Sequence, residues 1–231
     1  MSFNNRLFNI PDANLLEFAE VVAQMYPSDA AAFIAFDSTF TAEYAGTIST
    51  AVEAVKATKS DQVIIDEMAE LTQNVLDTMA DCNQSYKTIA YFVRKAFADN
   101  KAVQNQFGFN DIEKVRKSQP KMALFMQQHA NTAVKFRQEL IDEGCQEALI
   151  DQLLGKAKAL QEANVKQEEF KKERGVLTQD RILLLNEVYK LVKPINDVAQ
   201  IVYSDDPARL AKYSMPKPKS TQGSSDDLIE S

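Results

Sequence analysis

Residues 60–99 read SDQVIIDEMAELTQNVLDTMADCNQSYKTIAYFVRKAFAD, and this stretch decides the fold. Ile64, Met68, Leu71, Val75, Met79, Cys82, Tyr86, Ile89, Val93 and Phe97 follow one another by threes and fours. That spacing lays them along one side of an α-helix and makes a seam for a second helix. Neither Gly nor Pro interrupts it. Forty residues of helix extend about 60 Å at 1.5 Å per residue. A compact sphere of this chain would span only roughly 45 Å. The expectation is an elongated, rod-like bundle.

The same periodicity continues on both sides. Upstream, residues 1–27 read as an irregular arm, with Phe3, Leu7, Phe8 and Ile10 free to dock, followed by a short helix. Pro11 and Asp12 open that helix and Pro27 closes it near Tyr26. Ser28 is a good N-cap for a helix of about thirty residues whose face is Phe33, Phe36, Phe40, Tyr44, Ile48, Val52 and Val55. Lys59 and Ser60 break the pattern before the decisive stretch. Residues 28–100 thus form a first long hairpin.

Residues 101–119 are a connector, with Gly108 between two Phe and Asn110 placed to cap a short helix. Helix resumes at Ser118–Gln119–Pro120 with the face Met122, Met126, His129, Ala133, Phe136, Leu140, and stops before Gly144. Leu149, Leu153, Ala157 and Leu160 follow on another helix that turns polar toward Arg174. Gly175 reads as a break and Thr178 as a cap. The last helix carries Leu185, Val188, Val192, Ile195, Ala199 and Val202, with a kink expected at Pro194. Asp205–Asp206–Pro207 ends it, and Leu210–Met215 reads as a short extended piece. Residues 120–215 thus form a second hairpin with a kinked last helix, and 28–215 one bundle. The polar segment 216–231, PKPKSTQGSSDDLIES, reads as a disordered tail in which Leu228 and Ile229 are a candidate docking motif.

Composition bounds the function. In 231 residues there are 26 basic and 33 acidic side chains, a net charge of −7. That sign opposes nucleic acid and anionic membranes as default partners. A candidate basic run, Lys166–Arg174, carries three Glu beside its four cations and reads as a solvated helix face. One His and two Cys are too few for the usual zinc, haem or iron–sulfur frameworks. The N-terminus has no signal-peptide pattern, and the longest apolar run, Ala30–Phe36, is far below the ~18 residues of a membrane span. A reduced, cytoplasmic protein without a transmembrane segment is expected.

No phosphate-binding loop, nucleophile elbow or dinucleotide fingerprint occurs. His129 lies on an apolar stripe with Met126 three residues before it, not the Glu of a di-iron bundle site. It reads as a structural histidine. The pairs Glu17/Glu20, Glu67/Glu70 and Asp77/Asp81 lie on wet helix faces. Phe33, Phe36, Phe40 and Tyr44 read as core aromatics. No catalytic, metal-ligating or cofactor-binding residue is assigned.

Arg181, Leu185–Asn186, Tyr189, Val192, Ile195, Ala199, Val202–Tyr203 and Asp205–Asp206–Pro207–Ala208 occur in that order. This C-terminal third resembles a group of uncharacterised all-helical proteins from Bacteroidota. The resemblance implies a helical bundle and carries over no activity. Arg181 and Asn186, polar on an apolar helix, are candidates for fixing register across the bundle. Asp205 and Asp206 suit the turn that ends it.

The expected protein is therefore an all-α, elongated up-and-down bundle of long amphipathic hairpins. Its expected role is a non-enzymatic scaffold or interaction protein, a homo-oligomer or one that binds a protein partner. The alternatives are a bundle holding a small apolar ligand and a membrane-active helical protein.

Overall fold

A computed structural model describes residues 6–217. Its elements are all helical: α1 (Asp12–Phe36), α2 (Tyr44–Lys56), α3 (Asp61–Ala96), α4 (Lys101–Gln106), α5 (Ile112–Val115), α6 (Gln119–Lys135), α7 (Arg137–Asp142), α8 (Glu147–Val202) and α9 (Pro207–Lys212). The all-α class follows from the three-to-four spacing. All ten residues of the 60–99 seam are buried or half-buried.

The chain divides at 60/61 and at 175/176, not at the connector. Asp61–Gly175 form one compact unit, inserted into a second made of the residues up to Ser60 and those from Val176 onward. The expected hairpins, 28–100 and 120–215, therefore each straddle a boundary. The reason is packing: α2 sides with α1 and the C-terminal part of α8, so the break at Ser60 is a boundary and not a hairpin turn.

The discontinuous unit is centred on aromatics. Tyr26, Phe33 and Tyr213 are fully enclosed. Phe33 meets Tyr213 edge-on with centroids 5.0 Å apart, and Phe40 meets Tyr44 likewise at 5.0 Å. The phenols of buried Tyr26 and half-buried Tyr44 keep polar partners: Tyr26 donates to Thr41 O at 2.9 Å and Tyr44 to Leu191 O at 3.0 Å.

Four local expectations fail. First, α1 runs through Pro27, so Pro27 does not end a helix and Ser28 does not start one. Tyr26, Ala30 and Phe33 are buried on either side of the proline, and this anchoring outweighs the one missing N–H. Second, the break falls at Asp37, whose carboxylate accepts from Thr39 N at 2.9 Å and Thr39 Oγ1 at 2.8 Å. That turn leaves Phe36 exposed while Phe40, in the loop, packs inside. Third, α8 passes through Gly175 and Thr178 without a break. A helical Gly costs about 1 kcal/mol against Ala, too little to stop a helix flanked by good helix formers. Fourth, Leu210–Met215 is not extended. Asp206 Oδ1 accepts from Arg209 N at 3.0 Å, and with Pro207 next it opens α9 as N-cap and first-turn proline.

The inserted unit contains α3 to α7 and the N-terminal part of α8. Its core includes Cys82, Ile89, Val93, Phe107, Met122, Met126, Leu140, Leu153 and Leu160. Helix α7 closes with Gly144 in the left-handed region, φ +93°. Gly144 N donates to Ile141 O at 2.8 Å and Cys145 N to Leu140 O at 3.0 Å. These are the paired bonds of a Schellman motif, which satisfy the last free carbonyls. In the connector, Asn100 and Asp111, not Asn110, precede α4 and α5. Asn110 Nδ2 instead donates to Asn105 Oδ1 at 2.8 Å.

Candidate functional site

His129 is on α6 in the inserted unit and only 1% exposed. Its Nδ1 lies 3.0 Å from Phe107 O. Phe125 stacks on it at 6.0 Å and 12°, and Tyr86 and Phe107 pack at 5.1 and 5.6 Å. Burial pushes its pKa down to about 4, against a smaller opposing effect of the Phe107 carbonyl. The ring is neutral at pH 7. Because Phe107 O can only accept, Nδ1 carries the proton and Nε2 the lone pair. Nε2 has no hydrogen-bond partner among the described residues.

Arg181 and Asn186 lie in the discontinuous unit. Arg181 Nη1 donates to Thr58 Oγ1 at 2.9 Å and Val55 O at 3.3 Å, and Nε is 3.5 Å from Asp12 Oδ2. It joins the end of α2, the first turn of α1 and α8. Asn186 Oδ1 accepts from Leu7 N at 3.0 Å, pinning the N-terminal arm. Among the bonds described, its role is to hold the arm. Asp206 caps α9, whereas Asp205 is exposed. Leu228 and Ile229 lie outside the described residues.

The cysteines are free and buried. Burial, with the Asp81 charge adding and Lys156 opposing, pushes the Cys82 thiol up to about 11. Burial also raises Cys145. Both are protonated at pH 7, the opposite of an activated thiolate. Among the described residues no three His, Cys, Asp or Glu side chains come together to hold a metal ion. No helix among them is long and apolar enough to cross a membrane.

The connector gathers residues that the sequence alone does not join into one site. The connector is raised by Gly108, at φ +84°, where a Cβ would lie 2.2 Å from the Phe125 ring. Only a glycine lets the chain cross that ring and present α5 beyond it. Recesses open on both sides of α5. One, of about 390 Å³, is lined by Phe107, Val115, Lys121, Leu124, Phe125 and His129 among others. The other, of about 600 Å³, lies between α3 and α5. Its apolar wall is Tyr86, Phe109 and Ile112, and its cations are Lys87, Arg94, Arg116 and Lys117. Arg94 sits over the Phe109 ring at 5.0 Å, and Arg116 Nε is paired to Glu113 Oε2 at 2.6 Å.

These features define an all-helical protein with two cores and a recessed, cation-lined surface on the inserted one. No protein-family model, curated protein or solved structure matches the chain.

Proposed function

We propose that this chain is a non-enzymatic helical scaffold that associates with itself through the outer face of α1. The observation that carries the reading is the composition of that face. From Val21 to Phe36 the single charged residue is Asp29. Asp29 is turned inward, accepting from Tyr213 Oη at 2.8 Å and Lys212 Nζ at 3.3 Å. Val21, Gln24, Met25, Ser28, Ala31, Ala35 and Phe36 remain exposed. Helical spacing brings Val21, Met25, Ser28, Ala31 and Ala35 onto one side.

Such a face supports a second copy as occupant. In a chain of net charge −7, most surfaces of two copies repel. An uncharged face does not, and its small residues let two helix backbones approach closely. The two free, buried thiols suit a reducing compartment, and we place the protein in the cytoplasm.

Native mass spectrometry across a concentration series tests the reading. Wild-type protein is expected at a multiple of 25.9 kDa, and an Ala31→Glu/Ala35→Glu variant at 25.9 kDa with an unchanged circular-dichroism spectrum. A wild-type chain that stays at 25.9 kDa at every concentration overturns it.

A second reading, a small ligand held inside the bundle, has its own support. The 390 Å³ recess has the size of a ligand pocket, and His129, with its unpaired Nε2, contributes to its lining. Release of a stoichiometric small molecule on denaturing the purified protein would favour it.

A further inference from the structure

We propose that the cleft between α3 and α5 binds a small organic anion, a phosphate-bearing molecule with a planar apolar part. Four cations and one carboxylate line it, in a chain whose overall sign is the opposite. The carboxylate, Glu113, is already paired with Arg116. Lys87 and Lys117 are exposed and have no carboxylate partner among the described residues. Arg94 is held over Phe109 and has none either. Three cations that line one recess without paired carboxylates give it a positive field, and a multiply charged anion answers that field. Lysine ammonium groups and the arginine fork both take phosphate oxygens.

The remaining lining sets the body of the ligand. Phe109 is half-buried, so part of its ring is open to the cleft, and Ile112 lies beside it. Tyr86 is nearly enclosed, yet its hydroxyl forms no hydrogen bond among the described residues. Burial raises its pKa, with Arg94 opposing and Glu113 adding, so the hydroxyl keeps its proton and is free to donate. A recess of about 600 Å³ falls within the size of small-molecule sites. The site belongs wholly to the inserted unit and stands independently of self-association through α1.

Isothermal titration of the full-length protein with phenyl phosphate, inorganic phosphate and benzyl alcohol tests this. Phenyl phosphate is expected to bind most tightly, inorganic phosphate more weakly, and the neutral alcohol not at all. Lys87→Glu and Lys117→Glu are each expected to weaken phenyl phosphate by about tenfold or more. Lys158→Glu, the same charge change on an exposed site of α8, is expected to leave it within about twofold. Absence of saturable binding by phenyl phosphate overturns the proposal. So does equal weakening by all three variants, which would make the effect one of net charge. Retention on phosphatidylserine vesicles with no binding of phenyl phosphate also overturns it, assigning the cations to a lipid surface.

Discussion

Gly108 and Gly144 share a left-handed backbone, but only one of them has a neighbour in the way. A Cβ on Gly144 meets nothing within 4 Å, whereas one on Gly108 meets the Phe125 ring at 2.2 Å. Gly144→Ala should therefore lose about 1 kcal/mol, the cost of the backbone conformation alone. Gly108→Ala should lose clearly more, on the order of 3 kcal/mol, because the aromatic ring must move as well. Urea unfolding of the two variants decides this, and equal losses would remove the steric argument. His129 sets a second test. Its folded pKa of about 4 lies below the ordinary 6.5, so the unfolded chain binds the proton more readily. Stability from this residue is complete above pH 6.5 and is lost as pH falls toward 4, by about 3 kcal/mol. His129→Gln should flatten the pH dependence of unfolding across that window. A variant whose stability still falls as steeply as wild type would assign the titration elsewhere.

At the scale of the element, Asn186 offers the cleanest separation of roles. It holds the N-terminal arm through Leu7 N. Asn186→Leu should release the arm while α8 stays formed, read as faster hydrogen exchange at the Leu7 amide with exchange at Val188 and Val192 unchanged. If Leu7 stays protected, the arm is held by its apolar residues alone. The element scale also shows what a sequence can carry. The seam from Ile64 to Phe97 was legible because burial along a helix repeats every three or four residues whatever it packs against. Pro27 and Gly175 misled because propensity is local, while the anchoring of Tyr26, Ala30 and Phe33 is tertiary. Asp206–Pro207 is legible as a helix boundary, but the sequence alone shows only an ending, whereas the same two residues open α9. The α3–α5 cleft could not be read. Lys87 and Arg94 sit seven residues apart on α3, and Arg116 and Lys117 come from the connector, so no window of sequence contains the set. The run Lys114–Val115–Arg116–Lys117, basic in an acidic chain, was its one local trace.

Across the whole molecule, one unit is inserted within another. Arg181 Nη1 reaches Thr58 Oγ1 and Val55 O, so the end of α2, just before the chain leaves the discontinuous unit, is tied to α8 soon after the chain returns. Replacing residues 61–175 by a short Gly-rich linker should then leave a folded protein that keeps the core of Tyr26, Phe33 and Tyr213. A cooperative thermal transition and dispersed aromatic proton resonances would show it, and an unfolded product would mean that the discontinuous unit depends on its insert. Arg181→Ala in that shortened chain should lower its stability by about 2 kcal/mol, since it strips hydrogen bonds from a buried carbonyl and a hydroxyl.

The insertion also dictates an order of events on the ribosome. The inserted unit has all its residues once Gly175 has emerged, but the aromatic core begun by Tyr26 and Phe33 waits for Tyr213. The segment made first is therefore completed last. Throughout synthesis of the middle of the chain, α1 and α2 lack the share of their core that Leu185 to Tyr213 supply. A nascent chain halted between Gly175 and Tyr213 should carry one finished unit and a helix pair, α1 and α2, with one apolar side open, a substrate for whatever guards unfinished chains at the exit tunnel.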